Sequence, residues 1–191
     1  MKSIFKIVIA VVLILSMIIP FSTLTTSAAS QATEAKNKVS YLMDKKKLYT
    51  YMIDGHIPMT YKFQKKVGQY DYWTESESSF GIRETKNGLF DDGWRGKLLA
   101  YPVKLNKSWN SSKDLGSNLK IISIKKKVKV KAGTFKNVVV VKEVMPEGNE
   151  NDEYFLYYYA PNVGSILETY YGELSGYKTY KMKELIKIKN K

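Results

Sequence analysis

The chain has 191 residues, a formal net charge of +13, no cysteine, one histidine and 15 tyrosines, with 13% of its residues aromatic. This composition excludes a disulfide-stapled scaffold, an acylated-cysteine anchor and any zinc or copper site built from clustered thiols or imidazoles. It also removes histidine-based nucleophilic triads, because one imidazole in a turn-like stretch has no serine motif around it.

In chain order, the first feature is an export signal. Lys2 and Lys6 precede an apolar run from Ile7 to Ile19, and Ser27-Ala28-Ala29 supplies small residues for cleavage before Ser30. As a helix that run spans about 20 Å, short of the roughly 30 Å hydrocarbon core, so cleavage is expected rather than a permanent membrane span. Residues 1–29 are thus read as a signal peptide and 30–191 as one β-rich domain of about 160 residues, extracellular or associated with the cell wall. From Glu34 to Lys47, Ala35, Val39, Leu42 and Met43 recur at three- and four-residue spacing, which predicts a short N-terminal helix.

Beyond Asp54-Gly55 the period changes to two. Tyr61 to Val67, Tyr70 to Thr74 and Phe80 to Thr85 read as strands, and Asn87-Gly88 as a hairpin turn into Leu89-Phe90. Asp91-Asp92-Gly93 turns the chain, and Leu98 to Trp109 continues it as a strand. Asn110 to Asn118 is a loop rich in Ser, Asn, Asp and Gly. Leu119 to Ile124 and Val128 to Val130 alternate, Val138 to Val141 is a continuous apolar run suited to a central strand, and Pro146 to Asn149 turns. Tyr154 to Tyr159, Val163 to Tyr171 and Tyr177 to Ile188 complete eight to ten strands joined by short turns. The fold class is mainly β, an antiparallel meander sheet.

Three segments carry a resemblance: Leu105 and Trp109 in the stretch opened by Tyr101-Pro102-Val103, the turn from Ala132-Gly133-Thr134 to Asn137 with its valines, and Tyr157 to Gly164. Across roughly residues 100 to 170 the chain resembles the DUF3108-like or TapB-like exported bacterial proteins of unknown function. The resemblance implies an exported antiparallel sheet, with a curved half-barrel like that of the lipoprotein carriers as one form, and it supplies no catalytic residues. Gly133 and Gly164 read independently as turn or close-approach positions.

No motif for chemistry stands out. His56 is expected in an exposed loop, Ser123 to Lys126 lies on a strand where a Ser-Lys pair has the wrong reach, and the oxygen-rich Glu147 to Glu153 loop lacks EF-hand spacing. Glu75 with Glu77, or Asp91 with Asp92, would be the carboxylate pair of a hydrolase, the least favoured reading. No cofactor and no metal is expected.

Aromatic residues remain as the candidate ligand-binding set: Trp73, Trp94, Trp109, Tyr157, Tyr159 and Tyr171, lining a groove with lysines at its mouth or simply filling a core. The expected function is a non-enzymatic binding module for an apolar, lipid-like ligand or an anionic cell-wall polymer, with no nucleic-acid partner. The alternative is an envelope interaction or assembly protein that docks a protein partner through sheet edges. A closed apolar cavity separates the first from the second. The lysines, spread along the chain, serve a polyanion or merely keep a strand-rich surface soluble and its edges unpaired.

Overall fold

A computed structural model of the chain describes residues 39–75, 77–93, 95–111, 116–146 and 152–191. The signal peptide expected at residues 1–29 lies outside the described residues. Val39–Lys191 forms one unit by its internal contacts.

Twelve strands follow in order: β1 (Lys47–Ile53), β2 (Ile57–Val67), β3 (Tyr70–Glu75), β4 (Ser78–Thr85), β5 (Gly88–Asp91), β6 (Lys97–Ala100), β7 (Ser108–Asn110), β8 (Asn118–Val130), β9 (Gly133–Val144), β10 (Tyr154–Ala160), β11 (Gly164–Tyr171) and β12 (Tyr180–Asn190). A single 3-10 turn spans Glu173–Ser175. All pairings are antiparallel and join neighbours in sequence, except that β1 pairs with β12. The first and last strands therefore meet in mid-sheet, and β6 and β7, consecutive in the chain, become the two edges of a nearly closed, barrel-like meander. Across that seam the Trp109 Nε1–H donates to the Lys97 carbonyl at 3.0 Å. The edges are short, which limits the unpaired backbone they expose.

Two buried clusters hold the sheet. Tyr49, Tyr51, Trp73, Val128, Val138 and Leu185 belong to one; Leu89, Leu99, Ile121, Val139, Tyr157 and Tyr159 belong to the other. Val138 and Val140 pack on one face of β9 and Val139 and Val141 on the opposite face, all four fully buried. This is why the valine run is unbroken: a strand covered on both sides has no polar face to alternate with, and each valine contributes about 1.5–3 kcal/mol.

The helix expected from Glu34 to Lys47 is not formed in its described part. Residues 34–38 lie outside the described residues, residues 39–46 are irregular, and β1 begins at Lys47. Tertiary bonds hold this segment out of a helix: Ser40 Oγ and the Tyr41 amide donate to the Glu84 carboxylate at 2.8 and 3.2 Å, and the Asn162 amide donates to the Ser40 carbonyl. Gly164, at φ +85°, permits this approach, since a Cβ there would lie 3.0 Å from Met43 Cγ. The β4–β5 hairpin forms one residue earlier than its sequence suggests: Thr85 pairs with Gly88, so Lys86-Asn87 is the turn. The strand expected from Leu98 to Trp109 is interrupted between β6 and β7.

Candidate functional site

Aromatic and charged side chains from both halves of the meander line a partly open cavity of about 330 Å³. Its apolar wall comes from Tyr51, Tyr61, Phe80, Ile82, Leu89 and Leu98, on β1, β2, β4, β5 and β6, with Tyr159 of β10 opposite. Alternation along β1, β2, β4 and β5 sends their residues inward, and Leu98 enters as the extra residue of a bulge in β6.

The polar end is an ion network. Glu168 of β11 sits opposite Lys183 of β12 in register, and Lys183 Nζ donates to its Oε1 at 3.2 Å. Ser165 Oγ donates to the same oxygen at 3.2 Å, and the Arg95 guanidinium lies 3.9 Å from Oε2. The Lys183 ammonium also sits over the rings of Tyr51 and Tyr61, at 4.7 and 5.6 Å, and Arg95 lies 4.4 Å from the centroid of the Tyr157 ring. Burial, the strongest influence on Glu168, opposes its charge, but Lys183 and Arg95 outweigh it and hold the carboxyl below its ordinary range. Asp91, on the same cavity, moves the other way: burial raises it, against the Gly96 amide that donates to its Oδ1 at 2.7 Å.

Beside this network lies a second buried carboxylate. Glu143 is 3% exposed and accepts hydrogen bonds from Tyr157 Oη at 2.6 Å and from Ser117 Oγ. Burial drives the Tyr157 and Tyr159 phenols far above their ordinary range, so both stay protonated, and Tyr157 is the one that donates to Glu143.

The structure distributes the sequence-predicted residues over several places. Tyr159 lines the cavity, and Tyr157 adjoins it beneath Arg95. Trp73 is buried between Tyr49 and Phe63, with ring centroids at 5.7 and 5.8 Å in edge-to-face contact. Trp109 is half-buried at the β6–β7 seam. Tyr171 stacks on Tyr154 at 5.1 Å. Trp94 lies outside the described residues, as do residues 147–151 of the oxygen-rich loop. His56 is exposed in the β1–β2 turn. Among the described residues no three His, Asp or Glu side chains are placed to hold a metal ion, and no helix is long and apolar enough to cross a membrane.

Sequence reasoning missed Arg95, Glu168 and Lys183. Lys183 belongs to an alternating lysine series with Lys181, Lys187 and Lys189 that reads as one solvated face. Two bulges break that face. Thr50 and Tyr51 pair with Lys187 and Leu185, leaving Ile186 extra, while Glu168 and Thr169 pair with Lys183 and Lys181, leaving Met182 extra. Each extra residue reverses the side to which the alternation points, so Lys183 and Leu185 turn inward while Lys181, Lys187 and Lys189 stay exposed.

No family model and no curated protein matches the chain. The resemblance to the DUF3108-like proteins is therefore carried by the three quoted segments alone. Two solved structures align with the chain. A protein from Bacteroides fragilis NCTC 9343, assigned as exported and with a YmcC-like fold, aligns with 11% identity and a TM-score of 0.49, over 80% of this chain and 99% of its own. A protein from Parabacteroides distasonis ATCC 8503, assigned as a lipoprotein, aligns with 11% identity and a TM-score of 0.41, over 80% and 100%.

Proposed function

We propose that this is an exported, non-enzymatic binding protein that takes a small amphiphile, an apolar body with one polar end, into the cavity of the meander. Export rests on the cationic and apolar pattern of residues 1–29. The observation that carries the binding reading is the cavity, whose volume of about 330 Å³ falls within the roughly 300–1,000 Å³ of small-molecule sites. Its Tyr, Phe, Ile and Leu wall suits an acyl or aromatic body, and Arg95, Lys183 and Glu168 at one end suit a polar head.

The test is native mass spectrometry of protein purified from its own culture medium, with binding of 1-anilinonaphthalene-8-sulfonate as second readout. The expected result is a retained small molecule, or dye binding that Ile82→Trp weakens about tenfold by filling the cavity. The absence of both a retained mass and an Ile82→Trp-sensitive dye signal would overturn the proposal. Turnover that disappears in Asp91→Asn would overturn its non-enzymatic part, because Asp91 and Glu168 face one cavity with carboxyl pKa values moved in opposite directions. A second reading, docking of an envelope protein, is supported by Leu174, 92% exposed beside an apolar pocket lined by Phe155, Tyr170, Tyr180 and Met182.

A further inference from the structure

Lysines that are scattered in sequence converge at one end of the sheet. Leu48 of β1 is in register with Lys62 of β2 on one side and Lys189 of β12 on the other, and Thr50 is in register with Lys187. Residues opposite one another share a face, so Lys62, Lys187 and Lys189 project together. Strand spacing sets Lys62 and Lys189 about 10 Å apart across β1, and the strand repeat sets Lys187 and Lys189 about 7 Å apart. Lys65 and Lys66 extend β2 past the start of β1, and Lys46 sits in the turn before it, where its carbonyl accepts the Lys191 amide at 2.9 Å. All six of these lysines are exposed.

Carboxylates do not offset this end. Asp71 is buried and bound to Lys45 at 2.7 Å, and Asp44 pairs with Lys47 at 3.7 Å. β2 contains no acidic residue, and the one acid of β12, Glu184, is held by Lys181 and the Lys131 amide. None of the six lysines forms an ion pair among the described residues. The tip of the β8–β9 hairpin packs against the middle of β12, where the Ala132 amide donates to the Leu185 carbonyl at 3.1 Å, and it carries two further exposed lysines, Lys129 and Lys131.

We infer that the lysine-bearing end of β2, β1 and β12 is a binding surface for a linear polyanion with closely spaced charges, such as a phosphodiester polymer, separate from the cavity. Complementarity of charge argues for an anionic occupant, and geometry argues for a polymer over a bilayer. Four of the lysines, Lys62, Lys65, Lys187 and Lys189, lie along one sheet face, and the neighbouring exposed apolar side chain, Val67 at 49%, is too small to anchor the chain in lipid.

Long-chain inorganic polyphosphate is the probe, with affinity measured by calorimetry between about 0.05 and 0.5 M salt. A variant with Lys62→Gln, Lys65→Gln, Lys187→Gln and Lys189→Gln is compared with a control of equal charge loss, Lys86→Gln, Lys104→Gln, Lys120→Gln and Lys178→Gln. Each contacted lysine contributes roughly 0.7–0.9 to the slope of log affinity against log salt, so the patch variant should lose about 3 in slope and at least about tenfold in affinity at 0.1 M salt. The control should keep both nearly intact. Equal losses in the two variants would mean that net charge alone attracts the probe, and would overturn the inference. Equal or tighter binding to vesicles with one-quarter phosphatidylglycerol, lost in the same patch variant, would overturn the choice of a polymer. Dye binding in the cavity checks that each variant is folded and fails independently of polyanion binding.

Discussion

Replacing Lys183 with Met tests whether the polar end of the cavity is an interdependent buried network. The side chains of Glu168 and Lys183 are 15% and 22% exposed and 3.2 Å apart. Removing one partner of a fully buried pair costs about 3–5 kcal/mol, chiefly because the other charge is stranded. Here Glu168 keeps the Ser165 hydroxyl and the Arg95 guanidinium at 3.9 Å, and partial exposure screens the loss, so the expected cost is about 2 kcal/mol at pH 7. For a domain of this size that corresponds to a fall of about 4–8 °C in Tm. The pH dependence follows from the direction of the Glu168 shift. A carboxyl held below its unfolded value of 4.5 adds stability that is present above that pH and is lost as pH falls through the folded pKa. In Lys183→Met that advantage is largely gone, so variant and parent should differ most at pH 7 and converge toward pH 4. Urea denaturation at the two pH values, with Glu168→Gln/Lys183→Met completing the double-mutant cycle, measures this. A loss below about 0.5 kcal/mol at pH 7, or one of equal size at pH 4, would refute the reasoning.

Two further substitutions probe the neighbouring structure. Tyr157→Phe removes the hydroxyl that donates to buried Glu143 at 2.6 Å and should cost about 1.5–3 kcal/mol in urea unfolding, as expected for a hydrogen bond to a charged group; an unchanged midpoint would show that Ser117 alone satisfies the carboxylate. Gly88→Ala places a Cβ 2.2 Å from the Leu99 carbonyl at a backbone φ of +151°. It should destabilise by on the order of 3 kcal/mol and weaken dye binding, because β5 and β6 carry the Leu89 and Leu98 wall; unchanged dye binding would separate that wall from the site.

The strands legible in the sequence were those with unambiguous patterning. β3, β4, β10 and β11 lie close to where alternation and turn residues place them, and the valine run of β9 marks a strand buried on both faces. β1 was not legible. Its approach, residues 39–46, has helical spacing of apolar residues, but Glu84 and Asn162, distant in sequence, supply bonds that hold it in an irregular path. The candidate aromatics were legible as residue types but not as a group. Edge-to-face packing takes Trp73 into the core away from the cavity, while Tyr159, also buried, lines it.

By itself the sequence determined a β-rich class, an antiparallel meander and the poverty of thiol and imidazole chemistry, because these depend on composition and on a two-residue period that is local. Tertiary structure alone decided which lysine enters the cavity and which lysines gather outside it. A bulge of one residue reverses the facing of every side chain beyond it, and pairing of the first strand with the last joins charges that lie far apart in the chain.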